Sequence, residues 1–289
     1  HHVSDDLLHL PSEQRVDLGG PVRASVTIPN LAAPFSIDAI TGDVVASLGG
    51  SSVRGTTIDR ADIDGSIAGG IATIRRLDVA GAGATVTATG TVTVSNTAAG
   101  VSDLAIEADV PDVSAIPGLP VTDASGAAHL AAHVTGRPDR LLAKGTLAAH
   151  QLAYADTARA LTFNATFDAA LPDRDVHQLS ATVDADSAFL TVKGQEIQHL
   201  TLHSTYADRR VDLTTRVEQA DRALDLEGSV LLRPEFSEVR VRRLSLGLDT
   251  GTWTLAPGRE AVVRYGPDAI EAHDVVLTYG TGTIDVEGR

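Results

Sequence analysis

Few residues in this chain have the types and spacing for chemistry, and the sharpest candidate is Asp249-Thr250-Gly251 followed by Thr252. A carboxylate in that setting suits hydrolysis by two aspartates sharing one proton, and Tyr279-Gly280-Thr281-Gly282-Thr283 could supply a covering loop. The partner carboxylate must lie about 3 Å away, yet the triplet occurs once, so a second chain would have to provide it. Between alternating segments the same residues read as a turn. His129-Leu130-Ala131-Ala132-His133 and His199-Leu200-Thr201-Leu202-His203 carry a His-x3-His spacing that, on a helix, presents two metal ligands on one face. Their flanks alternate, so both are expected on solvated strand faces, and neither holds the glutamate of a zinc hydrolase. In Asp59-Arg60-Ala61-Asp62-Ile63-Asp64-Gly65 a calcium loop fails, because Arg60 takes the first ligand position and Ile71 stands where the closing acid belongs. Gly81-Ala82-Gly83 lacks the third glycine and the helix of a dinucleotide site. The expectation is a protein that is not an enzyme, with no catalytic residue, no cofactor and no metal.

The elements that would have to position such residues are strands. Val86, Ala88, Gly90, Val92 and Val94 alternate with five threonines, and Leu179, Ala181, Val183 and Ala185 alternate with Ser180, Thr182, Asp184 and Asp186. Leu200 and Leu202, then Val211, Leu213 and Val217, form two arms of a hairpin turning at Ala207-Asp208-Arg209-Arg210. Leu224, Leu226, Val230 and Leu232 follow, then Leu244, Leu246 and Leu248. Period-two alternation with polar turns every 8–12 residues or so predicts an all-β protein whose strands have one apolar and one polar face. A short phrase recurs along it, a small or aliphatic residue, a polar residue and glycine: Ile63-Asp64-Gly65, Ala88-Thr89-Gly90, Ala143-Lys144-Gly145, Val192-Lys193-Gly194, Leu226-Glu227-Gly228 and Val286-Glu287-Gly288. Glycine on the apolar side of a strand marks a bend, a bulge or a close backbone approach.

A longer repeat is also present. Asp6 to Pro11 matches Asp112 to Pro117, Gly20 meets Gly126, and Val22, Ala24, Val26 and Ile28 meet Ala128, Leu130, Ala132 and Val134 without a gap. Repeats that bury too little alone imply stacking. The expected organisation is a repeat unit over 1–111 and continuing units over 112–289, with the sheet running past the boundary.

Composition narrows the function further. The chain has 289 residues, 43% hydrophobic, but only 3% are aromatic, so the apolar content is chiefly Ala, Val, Leu and Ile. That suggests a thin core or an apolar surface left partly open. A net charge of −15 argues against nucleic acid and anionic membrane surfaces, which reward Lys and Arg. The absence of cysteine removes disulfides and thiolate metal sites. No stretch approaches the roughly 20 apolar residues of a membrane helix. His1-His2 and the lack of methionine point to a segment of a longer protein, with an anchor outside it.

Two functions fit a repetitive sheet with one aliphatic face: a β-solenoid or sandwich adhesin or scaffold with a closed core, or an open groove for hydrocarbon chains. The stretch from Leu246 to Leu255, then Val262-Val263-Arg264-Tyr265, Ile270, Val275-Val276-Leu277 and Gly282 to Gly288, resembles the repeat cadence of the TamB and AsmA-like family. Arg140 to Asp156, with Gly145-Thr146-Leu147, and the paired Asp-to-Pro motifs are similar to it as well. The resemblance implies an elongated, curved, mostly antiparallel sheet forming a repeating β-groove, a taco-like trough with an aliphatic interior. It also implies a periplasmic phospholipid conduit of the translocation and assembly module type, anchored in the inner membrane of a Gram-negative envelope. Its partners would be phospholipids and an outer-membrane barrel of the TamA type, reached through regions outside this segment, with the chain itself monomeric. The residues expected to line the groove are Val86, Val92, Val94, Leu130, Val134, Leu147, Val183, Leu200, Leu202, Val211, Leu213, Val217, Leu224, Leu226, Val230, Leu232, Leu244, Leu246 and Leu248.

Overall fold

A computed structural model describes residues 3–4, 16–27, 36–53, 56–95, 100–116, 123–155, 157–233, 236–266 and 270–288. The first copy of the Asp-to-Pro repeat and Ile28 lie outside them, as does the side chain of Val26. The protein is all-β, and every strand pairing with an assigned register is antiparallel. The chain forms two compact units, residues 1–150 with 171–174, and residues 151–170 with 175–289.

The first unit holds β1 (Val3–Ser4), β2 (Val16–Leu18), β3 (Val22–Thr27), β4 (Thr41–Val53), β5 (Thr56–Ala68), β6 (Ile71–Gly81), β7 (Ala84–Thr93), β8 (Ser102–Val110), β9 (Ala124–Arg137) and most of β10 (Arg140–Tyr154). From β3 to β9 each strand pairs with the next in a meander, with two-residue turns joining β5 to β6 and β6 to β7. Gly69-Gly70 and Ala82-Gly83 have positive φ at both central positions, the geometry that closes a two-residue hairpin with the right twist. The Gly81-Ala82-Gly83 run is thus a hairpin corner. Pairing of Ser102–Val110 with Ala128–Gly136 carries the sheet across the boundary expected at 111/112. Gly20 and Gly126, equivalent in the long repeat, share an unusual φ of 127° and 118°, which supports that repeat at the one pair of positions only glycine suits.

The second unit holds most of β11 (Ala158–Pro172), then β12 (Ser180–Val192), β13 (Gln195–Ala207), β14 (Arg210–Glu218), β15 (Ala223–Leu232), β16 (Ser237–Leu248), β17 (Gly251–Leu255), β18 (Ala261–Tyr265), β19 (Ile270–Tyr279) and β20 (Gly282–Gly288). The hairpin at Ala207-Asp208-Arg209-Arg210 forms as expected, with Ala207 opposite Arg210 and both turn residues at positive φ. β16 divides its partners: Ser237–Val241 pair with β18 and Ser245–Leu248 with β17.

Among the described residues three one-turn 3-10 helices, Ile37–Ala39, Val113–Ala115 and Val176–Gln178, precede β4, β9 and β12. Asp112 and Asp175 cap the latter two by accepting from the backbone N–H of Ser114 (3.0 Å) and His177 (2.9 Å). Those backbone N–H bonds help hold both carboxyls below the usual carboxylate range, with the Ser114 hydroxyl the first cause at Asp112. The same Asp-Val pair opens both turns.

Candidate functional site

Residues opposite each other in an antiparallel pair project from the same face, so the register shows what each face carries. In the second unit one row runs Val183, Ser204, Leu213, Gly228, Val241, Ala261. The next is Ala185, Leu202, Thr215, Leu226, Leu244, and a third is Ser187, Leu200, Val217, Leu224, Leu246, Trp253. Towards the other strand ends lie Tyr206, Val211, Val230, Val239, Val263, Ala272 and then Leu232, Ser237, Tyr265, Ile270. Twelve of the thirteen groove residues expected in this unit therefore share one aliphatic face in direct register; the remaining one, Leu248, closes against Gly251 at the strand end.

The first unit repeats the arrangement separately. Val86 lies opposite Ala108, which lies opposite Leu130; Val92 is opposite Ala72, and Val134 is opposite Leu104. Val94 stands just beyond β7, its N–H donating to the Gly70 carbonyl (2.9 Å), and Leu147 is half-buried on β10. The same face also carries Ile63, Ile67, Leu77, Val79 and Ile106, absent from the expected lining though they obey the same alternation.

Burial on this face is partial, and in the first unit Ala46, Leu48 and Ala61 form its buried cluster, with Ile63 and Val79 packed against it. Among the described residues the buried hydrophobics are seven alanines and two leucines, Leu48 and Leu255. Most large aliphatic residues of the rows are half-buried, and Leu232 and Ile270 in the outermost row are exposed. Hydroxyls on the face do not make it polar. Thr215 donates to the Thr201 carbonyl (2.8 Å), and the fully buried Ser187 donates to the Thr162 carbonyl (2.7 Å). Both of these polar hydrogens are spent on the sheet's own backbone.

The recurring glycine phrase acquires a structural meaning. Opposite Asp64-Gly65, β6 carries an extra residue, so the register shifts between Arg76 and Ile74; opposite Glu227-Gly228, β16 does the same between Arg243 and Val241. The inserted residues are Arg75 and Arg242. A third shift accompanies Glu287-Gly288, across from His273 and Asp274. A bulge bends its strand and adds twist. Glycine is required because a Cβ at Gly65 would stand 2.9 Å from the Thr73 carbonyl oxygen, and one at Gly228 would fall inside contact distance of the Arg240 carbonyl. Each inserted arginine then ties the acidic residue before the glycine to a strand beyond it. Arg75 donates to Asp64 (2.8 Å) and Asp43 (3.4 Å), and Arg242 to Glu227 (3.3 Å) and Asp212 (3.1 Å). Asp64 and then Asp43 hold the Arg75 guanidinium above its ordinary value. Gly194 is different, a hairpin corner with open space around it.

On the opposite, polar face, His129 meets Asp109 (2.7 Å), His133 meets Asp103 (2.6 Å) and His203 meets Asp184 (2.6 Å). All three pairs are exposed and lie across adjacent strands, which agrees with the solvated reading of the two His-x3-His segments. No group of three metal-ligating side chains occurs among the described residues. Asp59 to Gly65 is strand β5, with Asp62 and Asp64 facing arginines. Asp249-Thr250 is the turn between β16 and β17, where the Tyr279 hydroxyl donates to the Thr250 carbonyl and the Tyr279 ring covers Gly251. An open depression of about 450 Å³ lies over Ala223 and Gly247, whose small side chains leave its floor bare. Its Arg216 is already committed to Glu218 (2.7 Å) and Asp225 (2.9 Å).

The fold and site together define a class: an antiparallel all-β protein that keeps one half-shielded aliphatic face and one face of paired charges. No protein-family model, curated protein or solved structure matches the chain.

Proposed function

We propose that this protein is a non-enzymatic lipid conduit whose aliphatic face carries phospholipid acyl chains. The observation supporting the reading is a face of large aliphatic residues aligned across adjacent strands, most of them half-buried and few of them fully buried. An acyl chain of about 16 carbons is about 20 Å long, the width of about four strands at their spacing of about 4.8 Å. Each methylene removed from water contributes roughly 0.8 kcal/mol, so shielding such a chain is worth on the order of 10 kcal/mol. A continuous apolar face supplies that without specific contacts or catalytic residues, while the charged face keeps the molecule in water. In this reading the bulges opposite Gly65 and Gly228 curl the sheet around the chain, making the face a trough within a periplasmic envelope bridge of the TamB and AsmA-like kind. An outer-membrane barrel of the TamA type would receive the lipid.

A closed-core adhesin or scaffold would need the same face covered, and its large residues would then be buried. Native mass spectrometry of protein purified from a Gram-negative host tests the proposal. Copurifying phospholipid, in masses matching the host's lipids and released by organic solvent, is the expected result. Protein that remains lipid-free after exposure to membranes would overturn it.

A further inference from the structure

One strand end in the second unit gathers arginines around a buried carboxylate. Arg233 and Arg264 both stand over the Phe236 ring, with their guanidinium carbons 5.4 and 6.0 Å from its centroid. Beneath them Glu238 is 2% exposed, and both its oxygens are taken: Oε1 accepts from Arg240 Nε and Oε2 from Arg264 Nε, each at 2.6 Å. A carboxylate this enclosed survives as an anion only through such bonds. Each arginine bonds it through Nε, so the terminal nitrogens of Arg264, on a side chain 46% exposed, remain directed elsewhere. Arg233 has no carboxylate partner among the described residues. Glu238 thus fixes a guanidinium through Nε alone, while Arg240 also reaches Glu260 (3.6 Å) and Glu271 lies opposite Arg264 in register.

The aliphatic face ends at the same level. Leu232, Ser237, Tyr265 and Ile270 form its outermost row, and exposure rises to 41% at Leu232, 46% at Tyr265 and 66% at Ile270. Arg264 and Tyr265 are consecutive, so guanidinium and phenol leave one strand end on opposite sides. An apolar row, a tyrosine and a cation pair at one edge match an amphiphile whose chains lie on the face and whose oxyanion sits at the rim.

We propose that Arg233 and Arg264, stacked on Phe236 and with Arg264 anchored by Glu238, form a rim site for the phosphate of an amphiphile seated on the Leu232–Tyr265–Ile270 row. This rests on the acyl-chain reading above and adds the headgroup chemistry that the face selects. Glu238 is a positioning residue; the arginines would touch the ligand.

Calorimetric titration of the whole chain with dihexanoyl phosphatidylglycerol, octyl glucoside and glycerol 3-phosphate tests it. The wild type should bind the phospholipid more tightly than the uncharged glucoside. Arg233→Ala should remove about tenfold of phospholipid affinity, the usual weight of a charge-assisted contact. It should leave the glucoside within about twofold, and Arg233→Lys should restore part of the loss. Equal affinity for the two amphiphiles in the wild type, or an unchanged preference in Arg233→Ala, overturns the rim site while leaving the acyl-chain reading intact. Binding of glycerol 3-phosphate as tight as that of the phospholipid would show a site for soluble phosphates and overturn the amphiphile. If octyl glucoside does not bind the wild type, the acyl-chain reading itself fails.

Discussion

Replacing Leu226 by aspartate separates an open face from a closed core through the size of the damage. Leu226 lies in register between Thr215 and Leu244, is half-buried, and has Leu224 and Gly228 on either side along its strand. Full burial of a leucine side chain is worth about 1.5–3 kcal/mol, so losing a half-buried one costs about 1 kcal/mol. On an open face the new carboxylate keeps much of its hydration, and the total stays near that figure. For a domain of this size that is a fall of about 2–4 °C in Tm. In an enclosed core the unpaired charge would instead cost several kcal/mol and prevent folding. The assay has two arms: thermal unfolding followed by circular dichroism, and quenching of Trp253 by a brominated-chain phospholipid. Trp253 is the chain's sole tryptophan and shares the row of Leu224 and Leu246, next to that of Leu226. The expected result is a folded variant with a small drop in Tm and much weaker quenching. A variant that fails to fold, or one that folds and is quenched like the wild type, refutes the reasoning, the first by showing a core and the second by showing a face that lipid does not use.

Two further outcomes follow from the same geometry. Gly90→Ala should cost about 2–3 kcal/mol, because its φ of +131° is hostile to side chains and its Cβ would press on the Asp103 carbonyl. Gly69→Ala, at a turn with nothing within 4 Å, should cost only about 1 kcal/mol, and equal urea midpoints for the two variants would count against a close backbone approach at Gly90. Acid should weaken the fold through the carboxylates paired with arginine. Asp78 (beside Arg76, then Arg60), Asp212 (beside Arg210, then Arg242) and Glu238 (beside Arg264, then Arg240) are all held below their ordinary values. Because the folded values lie below the unfolded ones, their stabilisation is complete above about pH 5 and disappears as pH falls through the folded values, below about pH 4. Stability measured by urea unfolding from pH 6 to 2.5 should decline only at that acidic end, and a flat profile would show the pairs to be inconsequential.

Much of this architecture is local and therefore readable in one dimension. Alternation at Thr85 to Thr93 or Leu224 to Leu232 sets strand and face together, because successive side chains must point to opposite sides. The same property places His129 and His133 on the polar side, and the turn chemistry of Asp208-Arg209 and Gly69-Gly70 joins the strands in order. Other features depend on which strand lies opposite. That Arg75 and Arg242 are inserted residues follows from neighbouring registers, since an isolated strand has no bulge. Glu238 and Arg264 are remote in sequence and meet only because β18 takes the half of β16 that β17 leaves free. Phe189 breaks its alternation, standing at a φ of +52° and 67% exposed inside β12, a conformation that its neighbours in sequence do not announce. Alternation along the chain thus determined that one face is aliphatic. Pairing across the sheet decided where that face bends, which glycines cannot carry a side chain, and where an acidic protein gathers its arginines, because those outcomes depend on contacts between residues that the chain itself keeps apart.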